Sequence, residues 1–422
     1  MQKSDWKKCK LGDALNFHRG YDLPKDQMTG QGYPVVGSNG IIGYHEEYTT
    51  SAPCLVIGRS GNTGKPAIYN YPCWAHNTTL YVDDFKGNSP QFLCYLLKTM
   101  DLGSYAAGSA VPTLNRNHIH PLEINLPPIE EQKRIAQILG ALDDKIELLQ
   151  KQNKTLEDMA KAIFKSWFVD FDVVHAKQKG LPKADIMREY HLTDELYDLF
   201  PSDFENSSLG PIPLGWQVKN VGELLSFSIG GGWGNEEESE SFPIKAPVIR
   251  GTDIPNLRSS GTYNDVPVRF HKKSNHTSRE LKEGDIVLEV AGGSKGQPVG
   301  RALFVSDYII KSLPKVICAS FCKLLRPNKE LLLPELFYLY LDMMYQTGEI
   351  EQYQVQSTGI SNFQFKQFCE DKQFVIPNTE LQKKLSLNVY IDKIGNNKKQ
   401  IQTLTELRDT LLPPLISGKI RV

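Results

Sequence analysis

The sequence contains two copies of the same ordered series of segments, and this duplication limits the fold more than any other feature. Trp6 and Trp216 each open a short strand pattern that is followed by a glycine and an acidic residue. Strand-and-glycine segments come next, beginning at Cys54 in the first half and at Asp285 in the second. We therefore predict an α+β fold in which two tandem-duplicated α/β domains are each followed by a long helix. Two unrelated α/β domains with chance similarities remain the alternative.

The first long helix is predicted from apolar residues at alternating steps of four and three, the 3.5-residue period of a coiled-coil seam. The series begins after Pro128 and continues to Trp167, and charged residues and glutamines fill the positions between. A helix of roughly 37 residues measures about 55 Å at about 1.5 Å per residue. Its predicted seam includes Leu139, Leu142, Ile146, Leu149, Asn153 and Leu156.

The second long helix repeats these steps after Pro377, with more polar residues in its seam. Its predicted seam positions include Ile394, Asn397, Ile401 and Leu404. We expect Pro413 and Pro414 to end it, because proline lacks a backbone donor and clashes with the preceding turn. We hypothesise that the two helices pair antiparallel as a coiled coil, with Asn153 opposite Asn397, since a polar seam residue can fix register. Alternatively, both asparagines face solvent at the edge of the seam.

Two globular domains on a stiff helix pair would hold two recognition surfaces at a fixed separation. Duplex DNA is a target on which such a distance has meaning, because about 55 Å corresponds to roughly 16 base pairs at about 3.4 Å per step. Without further information, protein partners fit this arrangement about as well as DNA.

Composition sets further limits. The net charge of −1 supplies no overall attraction to nucleic acid, so binding must come from local patches or from a charged partner. No apolar run is long enough to span a membrane, and the N-terminus lacks the apolar core of a secretory signal. Seven cysteines without framework spacing fit a reduced cytoplasm. Cys318 and Cys322 are predicted to be buried thiols.

Several segments resemble the specificity subunits of type I restriction–modification systems. The segment LPPIEEQKRIAQIL at 126–139 resembles the start of their central helix, and LLPPLISGKI at 411–420 resembles their usual ending. The connecting segments FKSWFVDF at 164–171 and LGPIPLGW at 209–216 are also similar. The second helix departs from the pattern, because it begins with NTELQKK at 378–384. The ordered set covers nearly the whole chain.

The resemblance implies a division into residues 1–128, target recognition domain 1, and 129–168, the first spacer helix. Residues 169–215 would be a linker, 216–377 target recognition domain 2, and 378–422 the second spacer helix with the C-terminal tail. The two recognition domains are called head 1 and head 2 below.

By the same resemblance, the chain would be a sequence-specific DNA-recognition subunit that reads a bipartite target of double-stranded DNA with a fixed spacer. It would dock two modification subunits, which are adenine methyltransferases, and restriction subunits with translocase and nuclease activity. S-adenosylmethionine, ATP and magnesium would belong to those partners, and this chain would bind no cofactor or metal.

Sequence patterns of catalysis are missing from the chain. Both double prolines follow leucine, so neither forms the Asn/Asp-Pro-Pro-aromatic tetrapeptide of an adenine methyltransferase. The glycine-rich segment 58–65 resembles a phosphate loop, but Pro66 stands where a Ser or Thr would hold magnesium. We therefore predict a non-catalytic chain. A self-contained modification enzyme and a two-headed coiled-coil scaffold for protein interactions are the alternatives.

Candidate DNA contacts are polar and basic residues near turns and glycine-rich loops, since such groups meet phosphates and base edges. The loop at 230–238, which is rich in glycine and then glutamate, is interpreted as flexible and remote from DNA. The candidates in head 1 are Asn39, Arg59, Asn62, Lys65, His76, Asn77 and Arg116. Those in head 2 are Arg250, Arg269, Lys272, Lys273, Arg279, Lys295 and Arg301.

Overall fold

The computed structural model describes residues 6–108, 112–259, 263, 265–292, 298–357, 360–385 and 387–422. The chain divides into two compact units. Unit 1 comprises residues 1–146 and 403–422, and unit 2 comprises residues 147–402. Each unit therefore contains one head, the beginning of the long helix that follows it, and the end of the other long helix.

Unit 1 is built from short strands and short helices that precede the first long helix. Its strands are β1 Lys7–Lys10, β2 Asn16–Arg19, β3 Tyr33–Gly37, β4 Gly40–His45, β5 Cys54–Gly58, β6 Pro66–Tyr69, β7 Trp74–Ala75, β8 Thr79–Asp84 and β9 Glu123–Leu126. Its helices are α1 Leu11–Ala14, α2 Pro90–Lys98 and α3 Arg116–Ile119, with 3₁₀ turns at Lys25–Gln27 and Leu102–Tyr105. The long helix α4, Ile129–Phe168, begins in this unit.

The core of unit 1 lies between the sheet and helix α2. Strand β5 is buried along its whole length, as expected for an apolar run in the interior of a sheet. Helix α2 begins at Pro90, where the Ser89 side chain accepts a hydrogen bond from the Phe92 amide and caps the first turn. Leu415 and Ile416, from the end of the last helix, are buried in the same core.

Unit 2 repeats this plan with additional helices. Its strands are β10 Phe204–Ser207, β11 Gly210–Pro213, β12 Gln217–Asn220, β13 Leu225–Gly230, β14 Ile244–Ile249, β15 Val268–His271, β16 Ile286–Glu289, β17 Ala291–Gly292, β18 Ala302–Phe304, β19 Ile317–Cys318, β20 Cys322–Pro327, β21 Gln354–Ser357, β22 Ile360–Phe363 and β23 Gln373–Ile376. Its helices are α5 Asp172–Gln178, α6 Lys183–Glu189, α7 Asp194–Leu199, α8 Ile254–Ser259, α9 Lys273–Arg279, α10 Asp307–Ser312, α11 Pro334–Gln346, α12 Phe365–Asp371, α13 Thr379–Lys384 and α14 Leu387–Ile416, with 3₁₀ turns at Val221–Leu224, Gly251–Asp253 and Glu349–Tyr353.

The two heads have the same strand order, which confirms the predicted duplication. The main sheet runs β2-β8-β5-β6 in head 1 and β13-β20-β16-β18 in head 2. A second sheet runs β4-β3-β7 in head 1 and β15-β14-β19 in head 2, and its last pair is parallel in both. The first and last strands of each head pair antiparallel, β1 with β9 and β12 with β23.

The hydrogen bonds of one glutamine side chain are also repeated in the two units. Gln132, on the first turn of α4, accepts from the Ser89 amide at 2.9 Å and donates to the Pro127 carbonyl at 2.9 Å. Gln382 on α13 does the same with the Leu333 amide and the Pro377 carbonyl, also at 2.9 Å each. The NTELQKK segment therefore keeps this glutamine bridge despite its departure from the first helix.

The two long helices pair antiparallel. In unit 2, the Asn397 side chain donates to Asn153 Oδ1 at 2.8 Å. In unit 1, Arg408 on α14 lies 2.8 Å from Asp143 on α4. From Asp143 to Asn153 along α4, the contacted residue of α14 changes from Arg408 to Asn397, so the two helices run in opposite directions. The predicted seam residues named above are all buried or half-buried. With Asn153 2% exposed and Asn397 0% exposed, the alternative that they face solvent is wrong.

Two expectations for the second helical segment are corrected by the structure. Pro413 and Pro414 do not end α14, which continues to Ile416. Each proline removes one backbone hydrogen bond from the last turns of α14, and the burial of Leu415 and Ile416 offsets that loss and stabilises the end. The second helical segment also does not begin as one helix, because α13 ends at Lys384 and α14 begins at Leu387.

The segment 169–215, interpreted as a linker, is folded. It forms α5, α6, α7 and a hairpin of β10 with β11. Its Val173, Ile186 and Phe200 are buried in the core of unit 2, together with Trp216. This segment therefore belongs to unit 2 and covers the tryptophan that opens head 2.

Candidate nucleic-acid interface

A cleft lined by basic side chains lies in head 1, where β2 and β5 end and α3 begins. Its volume is about 420 Å³. Arg19 is the last residue of β2, Arg59 directly follows β5, and Arg116 is the first residue of α3. Two histidines, His18 and His118, also line it. We call this the basic cleft. Among the described residues that line it, none carries a carboxylate.

The three arginines of the basic cleft make mostly neutral contacts. Arg59 Nη1 donates to the Asn77 carbonyl at 3.3 Å, and Arg116 Nη1 donates to the Phe17 carbonyl at 2.9 Å. Arg19 Nη2 lies 3.6 Å from an Asp22 carboxylate oxygen, and both side chains are exposed, so this pair contributes little.

Burial lowers the pKa of Arg59, and the charge of Arg19 lowers it further. The guanidinium remains protonated, because arginine does not lose its proton in proteins. The contribution of Arg19 means that the two guanidinium groups repel each other, and an anion bound in the cleft would relieve that repulsion. Guanidinium groups bind phosphate oxygens with charge-assisted hydrogen bonds.

Aromatic side chains lie beside the basic cleft. His18 stacks on Tyr21 at a ring-centroid distance of 5.8 Å, and Tyr21 meets the edge of Trp74 at 6.4 Å. Tyr21 is 43% exposed although its hydroxyl lies 3.3 Å from that of Tyr81. Exposed rings next to guanidinium groups are suited to contact sugars and bases while the cations hold the phosphates.

The remaining candidates of head 1 surround this region less closely. Asn39 is exposed in the turn between β3 and β4, and Lys65 is exposed at the end of the glycine-rich loop, whose Asn62 is half-buried. His76 Nδ1 lies 3.1 Å from the Thr78 hydroxyl, and the Asn77 side chain donates to the Asp22 carboxylate.

The glycine-rich loop at 58–65 folds back on itself. The amides of Gly58, Thr63 and Gly64 donate to the carbonyls of Lys65, Gly61 and Gly58, respectively. These amides are therefore already bonded, and the loop offers fewer free donors to a phosphate than its sequence indicates.

In head 2, two candidate arginines are held by internal carboxylates. Arg301 binds Glu289 through both its Nε and Nη2, at 2.8 and 2.7 Å, and Glu289 is only 3% exposed. Arg250 binds Asp253 at 2.7 Å and donates to the Asp265 carbonyl at 2.9 Å. Hydrogen bonding to the carboxylate raises the pKa of each of these arginines. Both residues act first as structural braces.

The other described candidates of head 2 lie in β15, in α9 or between them. The Arg269 guanidinium lies 4.8 Å from the Trp233 ring centroid and 3.2 Å from Glu236. Arg279 Nε donates to the Gly230 carbonyl at 2.9 Å. Lys272 and Lys273 are exposed, and Lys295 lies outside the described residues.

The loop that the sequence indicated to be flexible is anchored. The amides of Gly231, Gly232 and Asn235 donate to the carbonyls of Cys322, Cys318 and Phe270 at 2.8 to 2.9 Å. Gly231 is required there, because a Cβ would meet the Ala319 carbonyl oxygen at 2.1 Å. The expectation of flexibility was wrong, because these backbone bonds carry no sequence pattern of their own.

Arg19, His18 and His118 were not predicted as contacts. Nothing in the composition around them distinguishes a strand-end arginine from an ordinary solvated charge. The duplication gives no signal either, because the last residue of the matching strand β13 in head 2 is Gly230.

Other kinds of site find no support in the described part of the chain. Within it, no group of three or more His, Cys, Asp or Glu side chains is placed to hold a metal ion. Cys318 and Cys322 are buried thiols, as predicted, and burial raises the pKa of Cys318 to about 12. No helix among the described residues is both long and apolar enough to cross a membrane.

Comparison with known proteins gives a consistent result. The family described as type I restriction modification DNA specificity domain matches residues 3–158. The chain is 28% identical to the type I restriction enzyme MjaIX specificity subunit of Methanocaldococcus jannaschii, over 79% of this chain and 69% of that protein. It is 26% identical to the HindI specificity subunit of Haemophilus influenzae, over 78% and 77% of the two chains.

A solved structure has a similar fold. The crystal structure of the type I restriction–modification S subunit from M. genitalium aligns over 99% of this chain and 97% of that one, with a TM-score of 0.56 and 16% identity. At this identity, the likeness concerns the fold of the two heads and the long helices.

Proposed function

Because this chain is similar to the specificity subunits of type I restriction–modification systems, we propose that it is one of them and selects the DNA sequence on which such a complex acts. The observation that carries the proposal is the basic cleft of head 1, with three arginines and two histidines and no carboxylate among its described lining residues. Such a cleft is suited to a phosphodiester backbone, which is the strongest general feature of DNA as a ligand.

We propose further that the target is bipartite, with one half read by each head. The repeated strand order of the heads supports two separate readings of the same kind. The 40 residues of α4 would set a fixed unread spacer, since a helix of this length measures about 60 Å at about 1.5 Å per residue.

In this proposal the chain has no catalytic activity. It would dock two modification subunits and, through them, restriction subunits, all in the cytoplasm. S-adenosylmethionine, ATP and magnesium would be bound by those partners. The missing methyltransferase tetrapeptide supports this division of labour.

The test is to express the chain with its modification subunit in a host that lacks adenine methylation, and to map methylated adenines across the genome. We expect one split motif with a constant unread spacer. A strain expressing the modification subunit alone is the control and should show no such motif. If a soluble, co-purifying complex methylates nothing and binds no duplex, the chain is a protein-interaction scaffold instead.

A further inference from the structure

We propose that the basic cleft is a binding site for backbone phosphates of duplex DNA, and that the described residues of head 2 form no equivalent site, so that head 1 carries the larger ionic share of binding. This inference rests on the proposed function and assigns a specific role to Arg19, Arg59 and Arg116. It also predicts that the two half-sites differ in salt dependence.

The first step is the match between positions of the two heads. The Arg59 amide donates to the Thr78 carbonyl at 2.8 Å, just as the Val290 amide donates to the Phe321 carbonyl at 2.9 Å. The Arg59 carbonyl accepts from the Leu114 amide, as the Val290 carbonyl does from Phe363. Arg59 and Val290 therefore occupy the same position in the repeated scaffold.

The same comparison identifies the positions in head 2 that match Arg19 and Arg116. Gly20 donates to the Thr79 carbonyl at 3.0 Å and Gly231 to the Cys322 carbonyl at 2.9 Å, so the preceding residues, Arg19 and Gly230, correspond. Arg116 lies two residues after Leu114, and Phe365 lies two residues after Phe363.

The three arginines of head 1 are thus replaced by glycine, valine and phenylalanine in head 2. Two cations do stand nearby, because Lys323 Nζ lies 4.5 Å from the Phe365 ring centroid and Arg279 Nε donates to the Gly230 carbonyl at 2.9 Å. Even with Lys323 and Arg279, the described residues of head 2 present two cations at this place, against the three arginines of head 1.

The second step concerns three other arginines of head 2. Arg250, Arg301 and Arg326 each face a carboxylate at 2.7 Å, on Asp253, Glu289 and Asp285, respectively. A phosphate approaching them would compete with a bonded carboxylate and would be repelled by it. The Glu289–Arg301 pair is also nearly inaccessible, with side-chain exposures of 3% and 11%.

The third step is the physical consequence. Each phosphate neutralised by a bound cation releases counterions, so the logarithm of the binding constant falls with the logarithm of salt concentration by about 0.9 per contact. Three arginines would account for a slope of about 2 to 3. Their removal would weaken binding by roughly 100-fold near 0.1 M salt.

The experiment uses the full chain in complex with its modification subunits and a fluorescein-labelled 40-base-pair duplex of random sequence. Dissociation constants are measured by anisotropy between 50 and 300 mM KCl. The test variant is R19Q/R59Q/R116Q. The matched control, K7Q/K10Q/K419Q, removes three exposed charges from unit 1 outside the basic cleft.

We expect the test variant to lose about 2 to 3 from the salt slope and the control to lose less than about 0.5. The charge-preserving variant R19K/R59K/R116K should keep most of the slope, which separates loss of charge from damage to the fold. Equal slopes in the test and control variants would overturn the inference. They would leave the proposed function intact, whereas failure of the wild-type complex to bind any duplex would refute that function.

Discussion

The two heads share a backbone and differ in what they display on it. Their sheets have the same order, and bridging glutamines, edge strands and loop hydrogen bonds recur at matching positions. Yet the arginines that line the basic cleft in head 1 are replaced in head 2 by Gly230, Val290 and Phe365. The scaffold thus tolerates different side chains at these positions, because the hydrogen bonds repeated there join backbone atoms.

The contrast extends to the way each head is held on the long helices of its own unit. In unit 1 the acid is on the helix, since Asp143 of α4 accepts from Tyr95 at 2.7 Å and pairs with Arg408. In unit 2 the acid is on the head, since Asp342 of α11 pairs with Lys161 of α4 at 2.9 Å and with Arg258 at 2.7 Å.

At one matching position, the two heads carry side chains of opposite charge. Lys98 and Asp342 both lie nine residues after the amide that donates to the bridging glutamine. Each head is thereby complementary to one end of the helix pair. Four substitutions test this comparison.

The largest effect is expected for Asp342→Asn. Asp342 is 1% exposed, and its loss leaves the half-buried Arg258 and Lys161 without their carboxylate, which costs about 3–5 kcal/mol of the free energy of unfolding. Urea unfolding of the variant, compared with wild type, measures it. A change below about 1 kcal/mol would show that the clamp in unit 2 is dispensable.

The same side chain predicts a pH dependence. Burial alone raises the pKa of Asp342, but the charges of Arg258 and Lys161 outweigh it and bring that pKa below its ordinary value. The stabilisation is therefore complete above about pH 4, the pKa of an unfolded aspartate, and is lost as the pH falls through the lower pKa of the folded state. The D342N variant should not show this loss.

Gly58→Ala should destabilise unit 1 by about 1–3 kcal/mol, because a Cβ at this position would meet the Asn62 carbonyl oxygen at 1.9 Å. Head 2 accommodates Glu289 at the matching position, where the neighbouring Gly251 leaves room for its side chain. The control is Gly140→Ala in α4. A Cβ added there would meet no atom within 4 Å outside the helix's own backbone, so the substitution should stabilise the helix by up to about 1 kcal/mol. Thermal unfolding of both variants measures the two effects. Equal destabilisation by the two substitutions would contradict the predicted clash at Gly58.

Asn153→Leu should cost about 1–3 kcal/mol, because the buried Asn397 amide loses its partner. Asn153 Nδ2 and Asn397 Oδ1 already have no hydrogen-bond partner among the described residues. The double variant N153L/N397L should therefore recover stability and lose uniqueness of register and oligomeric state, which light scattering detects. A single variant with unchanged stability and a single mass would refute the register role.

The smallest effect is expected for Asp143→Asn. Its carboxylate and the Arg408 guanidinium are both partly exposed, so the loss should be about 1 kcal/mol or less. Measured beside D342N under the same conditions, it isolates the effect of burial on two clamps of opposite polarity. Equal losses for the two variants would contradict the comparison.

Much of this architecture could be predicted from the sequence. The duplication, the long helix after Pro128 and the pairing of Asn153 with Asn397 all followed from spacing, because heptads and repeated segments leave a regular pattern. The continuation of α14 beyond Pro413 did not, since it depends on the burial of Leu415 and Ile416 in the core of unit 1. Tertiary contacts of this kind have no local pattern.

The candidate site was predicted only in part. Arg59 and Arg116 were identified from their positions near loops and do line the basic cleft, whereas Arg19 was missed. Arg250 and Arg301 have the same residue type and similar loop positions, but Asp253 and Glu289 hold them. Which arginines remain available to an anion depends on where the carboxylates fold, and a single sequence does not reveal those pairings.

The most direct test of the central claim, two separate readers on one scaffold, is an exchange of head 2. Residues 216–377 are replaced by the corresponding head of a specificity subunit with a different mapped target, and methylated adenines are sequenced in a methylation-free host. We predict that one half of the split motif changes while the other half and the spacer length stay the same. A motif altered in both halves, or in its spacer, would contradict the account.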